Sequence, residues 1–185
     1  MLDQATLFAT GPYDIPNVRI KGLSVYTNNV ACGAMRGFGI PQSAFAIESL
    51  VDELAEKLGM SPFELRRING LKPGSTTATG QVLTESVPFV ETLKELEEAL
   101  EAAKAELPPP APGHKRGVGV ASCYKNVGLG LGMPEPAGVG IDLTPDGHVL
   151  VRFGGADLGQ GADTVVAQMA AQALGVPYTL IDVLA

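Results

Sequence analysis

HVLVRFGGADLGQGADTVVAQMAAQALG, His148 to Gly175, reads as a strand, a glycine loop and a helix in that order. This order decides the fold class. His148–Phe153 is rich in β-branched and apolar residues, as a strand requires. Val165, Val166, Met169 and Ala173 then recur at helical spacing. Between strand and helix, Gln160 stands between Gly159 and Gly161, with Thr164 and Gln168 behind it. Glycines let a backbone approach a ligand closely, and the freed N–H groups of a helix N-terminus favour anions. The alternative is a plain helix start with Gln160 in solvent.

Elements of both kinds continue outward from this stretch. AGVGIDL and HVLVRF flank Thr144-Pro145-Asp146-Gly147, a turn with Pro and Gly in suitable places, and together predict a β-hairpin. TLIDVLA predicts a last strand and KRGVGVASCY an earlier one. LPPPAPG, Leu107 to Gly113, is a stiff linker, since consecutive prolines cannot continue a helix. Upstream, Phe89, Leu93, Leu96, Leu100 and Ala103 mark one helix stripe; Ile47, Leu50, Val51, Leu54 and Leu58 mark another, ended by Gly59. Ser61-Pro62-Phe63-Glu64 is a capping box that opens a short helix ending near Asn69-Gly70. Residues 17–27 predict an extended segment and Ala31–Gln42 a glycine-rich bend. The fold class is therefore α+β, mixed sheets with packed helices. The expected domains are 1–106 and 115–185, joined by the proline-rich linker 107–114.

Composition narrows the function. The 185 residues carry a net charge of −7, and Arg66-Arg67 and Lys115-Arg116 are too short to replace phosphate counterions, which argues against nucleic acid as a partner. No apolar run reaches the roughly 18 residues of a membrane span, and the N-terminus lacks a signal-peptide pattern. Two cysteines, Cys32 and Cys123, and two histidines, His114 and His148, do not make a structural zinc site. Reduced thiols of a cytoplasmic protein are the simplest reading.

Gly128-Leu129-Gly130-Leu131-Gly132 follows a predicted strand, but Pro134 and Pro136 forbid the helix that a dinucleotide fingerprint needs. The G-x-S-x-G elbow of hydrolases is absent, and neither histidine sits near a serine or cysteine in a recognisable pattern. Ala34–Gln42, AMRGFGIPQ, places Arg36 and Phe38 among glycines before a helix. Arg offers a fork of donors and Phe a face for a flat ring; the alternative is a tight turn whose Phe fills the core. Two such loops, one on each side of the linker, could grip one anionic, planar ligand.

These loops, in this order, resemble the molybdenum-cofactor-binding large subunit of the xanthine dehydrogenase and aldehyde oxidase family. YDIPNVRIKGLSVYTNN, AMRGFGIPQ, TATGQVLTES and DGHVLVRFGGADLGQGADTVVAQMAAQALGVP carry the resemblance over nearly the whole chain. It implies two partial molybdopterin-binding subdomains. It implies hydroxylation of a heterocycle or aldehyde carbon with oxygen from water, and a small-molecule substrate. The implied cofactor is the molybdenum cofactor, a molybdopterin either bare or extended as the cytosine dinucleotide. Iron–sulfur clusters and FAD are expected on partner subunits or domains, in an oligomeric full-length enzyme. By this resemblance Met35, Arg36 and Gly37 bind cofactor, Phe38 packs on the substrate, and Gly159, Gln160 and Gly161 bind cofactor. The pterin holds the metal, so no protein metal ligand is expected.

Departures from the family pattern matter as well. Purine-oxidising members carry an arginine where an ungapped count puts Gln4. A second substrate-facing aromatic is absent from Val127–Met133, and Cys32 does not match the cysteine loop of the carbon monoxide dehydrogenase branch. The family's catalytic glutamate and its upstream glutamine loop have no counterpart in the chain. It therefore reads as an internal piece, with no catalytic residue of its own and inactive alone. The alternative is a non-catalytic binding or scaffold module of the same fold without cofactor.

Overall fold

The computed structural model describes residues 1–30, 33–126, 128 and 133–184. Cys32 and most of the Gly128–Gly132 and Val127–Met133 stretches lie outside the described residues. The chain divides into two compact units, Met1–Lys125 and Asn126–Ala185. The division falls beyond the proline-rich 107–114 stretch because residues 120–124 pack back on the first unit. There the Ser122 N–H donates to Glu48 (2.7 Å) and the Tyr124 ring meets Phe8 edge-on at 5.0 Å.

Among the described residues the first unit contains four helices: α1 (Leu2–Leu7), α2 (Ile40–Leu58), α3 (Pro62–Asn69) and α4 (Phe89–Glu106). Glycine bounds α2 at both ends, with Gly39 and Gly59 left-handed. Ser61 caps α3 by accepting from the Phe63 N–H at 3.2 Å, one residue short of the bond a capping box makes. Tyr13, Phe63, Leu65, Leu71 and Leu93 form buried core, and Phe89 meets Tyr13 edge-on at 6.0 Å. No Cβ fits at Gly70, where it would lie 2.3 Å from the Phe89 ring.

The buried face of α2 differs from the expected stripe. Leu50, Leu54 and Leu58 are about half exposed, whereas Ile40, Glu48 and Ala55 are buried. Burial of Glu48 is explained by its partners. Its carboxylate accepts from Tyr13 Oη (2.5 Å), Arg66 Nε (2.9 Å) and the Ser122 N–H (2.7 Å), and pairs with Arg66 Nη2 at 2.8 Å. Arg66 is fully buried and also pairs with Asp52 at 2.8 Å. Burial works against the Arg66 charge, but Asp52 and Glu48 outweigh it and raise the guanidinium pKa. Burial and then the Glu48 carboxylate push the Tyr13 phenol well above its usual range, so it stays a donor.

Residues 17–27 and 115–124 form no ladder among the described residues. A β-branched composition cannot make a strand without an edge to pair with. Leu23, Val25 and Tyr26 are accordingly exposed.

Among the described residues, the second unit is a three-stranded mixed sheet with one α-helix and a 3-10 turn at Tyr178–Leu180. β1 (Val139–Leu143) pairs antiparallel with β2 (Val149–Phe153), and β2 pairs parallel with β3 (Ile181–Leu184) through the crossover helix α5 (Ala162–Leu174). The hairpin turn closes with Gly147 N–H to Thr144 O at 2.9 Å and Gly147 left-handed. Helix α5 buries Ala167 and Ala171 against Val149, Val151 and Ile181. Val165 and Met169, expected in the core stripe, are exposed. Alanines face the sheet because their size allows close approach.

Arg66→Ala is expected to cost about 3–5 kcal/mol of unfolding free energy, because it strands a buried carboxylate. Urea denaturation of the protein measures this, and a loss below about 1 kcal/mol would contradict the central role of the pair.

Candidate functional site

The first glycine loop, Ala34–Gly39, is a pair of overlapping turns leading into α2. The Phe38 N–H donates to Met35 O at 2.8 Å and the Ile40 N–H to Gly37 O at 3.1 Å. Gly37, Phe38 and Gly39 all have positive φ, at 91°, 51° and 103°. Glycine is required at both flanks. A Cβ on Gly37 would sit 2.6 Å from Pro41 Cδ, and one on Gly39 2.3 Å from the Met1 carbonyl oxygen. Phe38, the residue without that freedom, is held left-handed between them, a strained state that clusters at ligand sites.

This turn projects its side chains outward. Phe38 is 44% exposed and Met35 72% exposed, so the ring does not serve as a core filler. Arg36 is exposed and makes no ion pair with any described residue. An unpaired guanidinium, an exposed ring and backbone N–H groups suit a flat, anionic, oxygen-rich molecule. Helix α1 abuts this turn through Met1 and Ala5, and carries Gln4, whose Oε1 is buried without a hydrogen-bond partner.

The second loop, Ala156–Gly161, leads into α5 in the second unit. Gly159 and Gly161 are left-handed, with φ of 95° and 78°. Gln160 does not point freely into solvent. Its Oε1 accepts from the Leu158 N–H at 2.6 Å, and its Nε2 donates to Ala156 O at 2.9 Å. One Nε2 hydrogen is left for a further acceptor.

Sequence reasoning missed Asp157. Its Oδ1 accepts from the Gly159 N–H at 2.7 Å and from the Gly161 N–H at 3.4 Å. The Gly159 N–H above all holds this carboxyl below the usual aspartate range. The signal was present in the sequence: an Asp two residues before a left-handed glycine is Asx-turn spacing. Met35, Arg36, Gly37 and Phe38 are thus contiguous on one turn of the first unit, and Gly159, Gln160 and Gly161 form the mouth of α5 in the second. Among the described residues no group of three or more His, Cys, Asp or Glu could hold a metal ion. An apolar cleft of about 460 Å³ in the first unit, lined by Leu71, Phe89, Leu93, Leu96 and Tyr124, includes neither loop.

A molybdopterin cofactor-binding domain model matches residues 1–70, and a second molybdopterin cofactor-binding domain model matches residues 91–185. Aldehyde oxidoreductase of Megalodesulfovibrio gigas is 43% identical over 160 residues, 84% of this chain and 17% of that protein. The xanthine dehydrogenase molybdenum-binding subunit of Escherichia coli O157:H7 is 37% identical over 162 residues, 86% of this chain and 21% of its own length. The crystal structure of the aldehyde oxidoreductase from Desulfovibrio desulfuricans matches with a TM-score of 0.75 at 36% identity, covering 99% of this chain and 20% of that one. The chain spans about a fifth of the length of these relatives.

Gly39→Ala tests the loop geometry. The clash with Met1 and the positive φ together are expected to cost about 1–3 kcal/mol. Thermal unfolding reads the loss, and an unchanged midpoint would show that the turn tolerates a side chain.

Proposed function

This chain belongs to the molybdopterin cofactor-binding domain family, and on that premise we propose that its two glycine loops hold the molybdenum cofactor of a molybdenum hydroxylase. The observation that carries the proposal is the exposed turn at Met35–Gly39, with its three successive positive φ angles and an Arg36 that has no ion pair among the described residues. Arg36 donates to an oxygen of the cofactor, with Met35 and Gly37 bringing backbone amides to the same place. Phe38 offers its ring to the substrate. In the second unit, Gly159 and Gly161 offer backbone amides at the mouth of α5, and the free Nε2 hydrogen of Gln160 donates to a cofactor oxygen.

When bound, the cofactor supplies the two-electron oxidation of a heterocycle or aldehyde carbon, with water as the oxygen source. The chain's own residues bind and orient, and none is assigned to proton transfer. The amide at Gln4, in place of a guanidinium, argues against a purine as the substrate. In the proposal the cofactor is a molybdopterin, bare or extended as the cytosine dinucleotide. Iron–sulfur clusters and FAD on partner subunits or domains receive the electrons, within a cytoplasmic oligomer. Among the described residues, no helix is long and apolar enough to cross a membrane. The loops belong to successive cofactor-binding subdomains, 1–106 and 115–185, with 107–114 between them.

A second reading, a module of the same fold without cofactor, draws on the internal hydrogen bonds of Gln160. Arg36→Ala in the full-length protein separates the two. Losing a hydrogen bond to a charged group is worth about 1.5–3 kcal/mol, roughly a ten- to hundredfold weaker hold on the cofactor. Molybdenum and pterin content after dilution and gel filtration reads this. Full retention on a normally folded variant would reject Arg36 as a cofactor ligand.

A further inference from the structure

The Glu48 carboxylate closes a ring through the first unit, and the Met35–Gly39 turn sits on that ring. Along one arm, α2 runs from Glu48 back to Ile40, about 12 Å of helix. Along the other, Tyr13 Oη donates to Glu48 at 2.5 Å and fixes the chain just after α1. Gly11, with φ of 62°, lets this segment lie tight against α2: a Cβ there would meet the Tyr13 ring at 3.1 Å and Ile47 at 3.3 Å. The N-terminal end of α1 meets the turn itself, where a Cβ on Gly39 would lie 2.3 Å from the Met1 carbonyl oxygen and 3.1 Å from Ala5. The turn is thus held between two helices that are both tied to one buried carboxylate. Arg66 completes the tie, donating to Glu48 from α3 at 2.9 Å.

Stability alone does not account for such a tie. Glu48 and Arg66 are both buried, and apolar side chains of similar volume often hold helices together as well as a buried ion pair does. The turn, by contrast, needs outside constraint. Phe38 is held at φ of 51° between two glycines of positive φ, and a strained residue keeps that state only where its surroundings over-determine it. We propose that Glu48, with Tyr13 and Arg66, is a positioning residue for the cofactor turn: it fixes α1 and α2 at the spacing that keeps Met35–Gly39 in its positive-φ shape. This rests on the reading of that turn as a cofactor loop. Glu48 acts through the backbones of α1 and α2. With the ring opened, the turn relaxes and Arg36 loses its aim, while the first unit stays folded. No covalent bond changes.

The test uses the full-length protein and two variants. The triple variant Tyr13→Phe, Glu48→Leu, Arg66→Met replaces the polar ring with apolar side chains of similar size. Tyr13→Phe alone opens only the α1 arm and serves if the triple variant folds poorly. Three quantities are read: the urea midpoint, hydrogen exchange at the Phe38 and Ile40 amides of cofactor-free protein, and molybdenum and pterin kept after dilution and gel filtration. The Phe38 and Ile40 amides are chosen because both donate within the turn, at 2.8 and 3.1 Å. The triple variant is expected to keep the native urea midpoint or exceed it. Its turn amides should exchange about tenfold faster and its hold on the cofactor weaken about tenfold, the size of one residue's backbone strain. Tyr13→Phe should shift exchange and retention in the same direction by less. A urea midpoint that falls in step with retention in both variants reduces the ring to ordinary stability and overturns the proposal. Unchanged amide exchange in both also overturns it, while cofactor loss in Arg36→Ala leaves the cofactor turn standing. Faster exchange with full retention breaks the link from ring to cofactor. If Arg36→Ala then keeps its cofactor too, the reading of the turn as a cofactor loop falls as well.

Discussion

Everything in the first unit hangs on one buried charge pair. Arg66 reaches across from α3 to Glu48 on α2, and Glu48 also receives Tyr13 and the Ser122 amide. Four segments far apart in sequence are joined at one carboxylate. Such a pair contributes little net stability over apolar packing, since desolvation offsets most of the attraction. It does impose register. The fully buried Arg66 guanidinium finds both its carboxylate partners, Glu48 and Asp52, on one face of α2, and this ties the rotation of α2 about its axis to α3. The glycine turn at its N-terminus is thereby fixed too.

From that anchor the logic runs outward to the loop. Ile40, at the first turn of α2, is buried, and Gly39 touches Met1 through its backbone. The turn is therefore held from below, while Arg36 and Phe38 face outward. The second unit arrives at a similar device by a different route. Its alanine-faced α5 lies close on the sheet, and left-handed glycines open its N-terminus. In both units a helix held by packing presents a glycine-bound turn. The units differ in what occupies the donors: Arg36 has no ion-pair partner among the described residues, whereas the amides of Gly159 and Gly161 are engaged by Asp157.

Much of this was legible in the sequence, and the remainder was illegible for definite reasons. Helical spacing located α2, α4 and α5, turn chemistry located the 144–147 hairpin, and glycines located both loops. Spacing did not reveal which helix face is buried. Leu50, Leu54 and Leu58 repeat at the right interval yet stay half exposed, while Glu48 is buried because its partners come from elsewhere in the chain. Period reports the apolarity of a face, not what covers it. Strand propensity at 17–27 and 115–124 likewise failed for want of an edge to pair with. The candidate site residues come from the family motifs, but the conformation of Gln160 and the hydrogen bonds of Asp157 needed coordinates. Both depend on backbone directions that residue types do not specify.

If these loops belong to a protein that carries a molybdenum cofactor, the metal and the pterin must travel with it. The most direct test is elemental and pterin analysis of the purified full-length protein, produced in a host that makes the cofactor. One molybdenum and one pterin are expected for each copy of this chain. A folded full-length protein with neither would contradict the assignment.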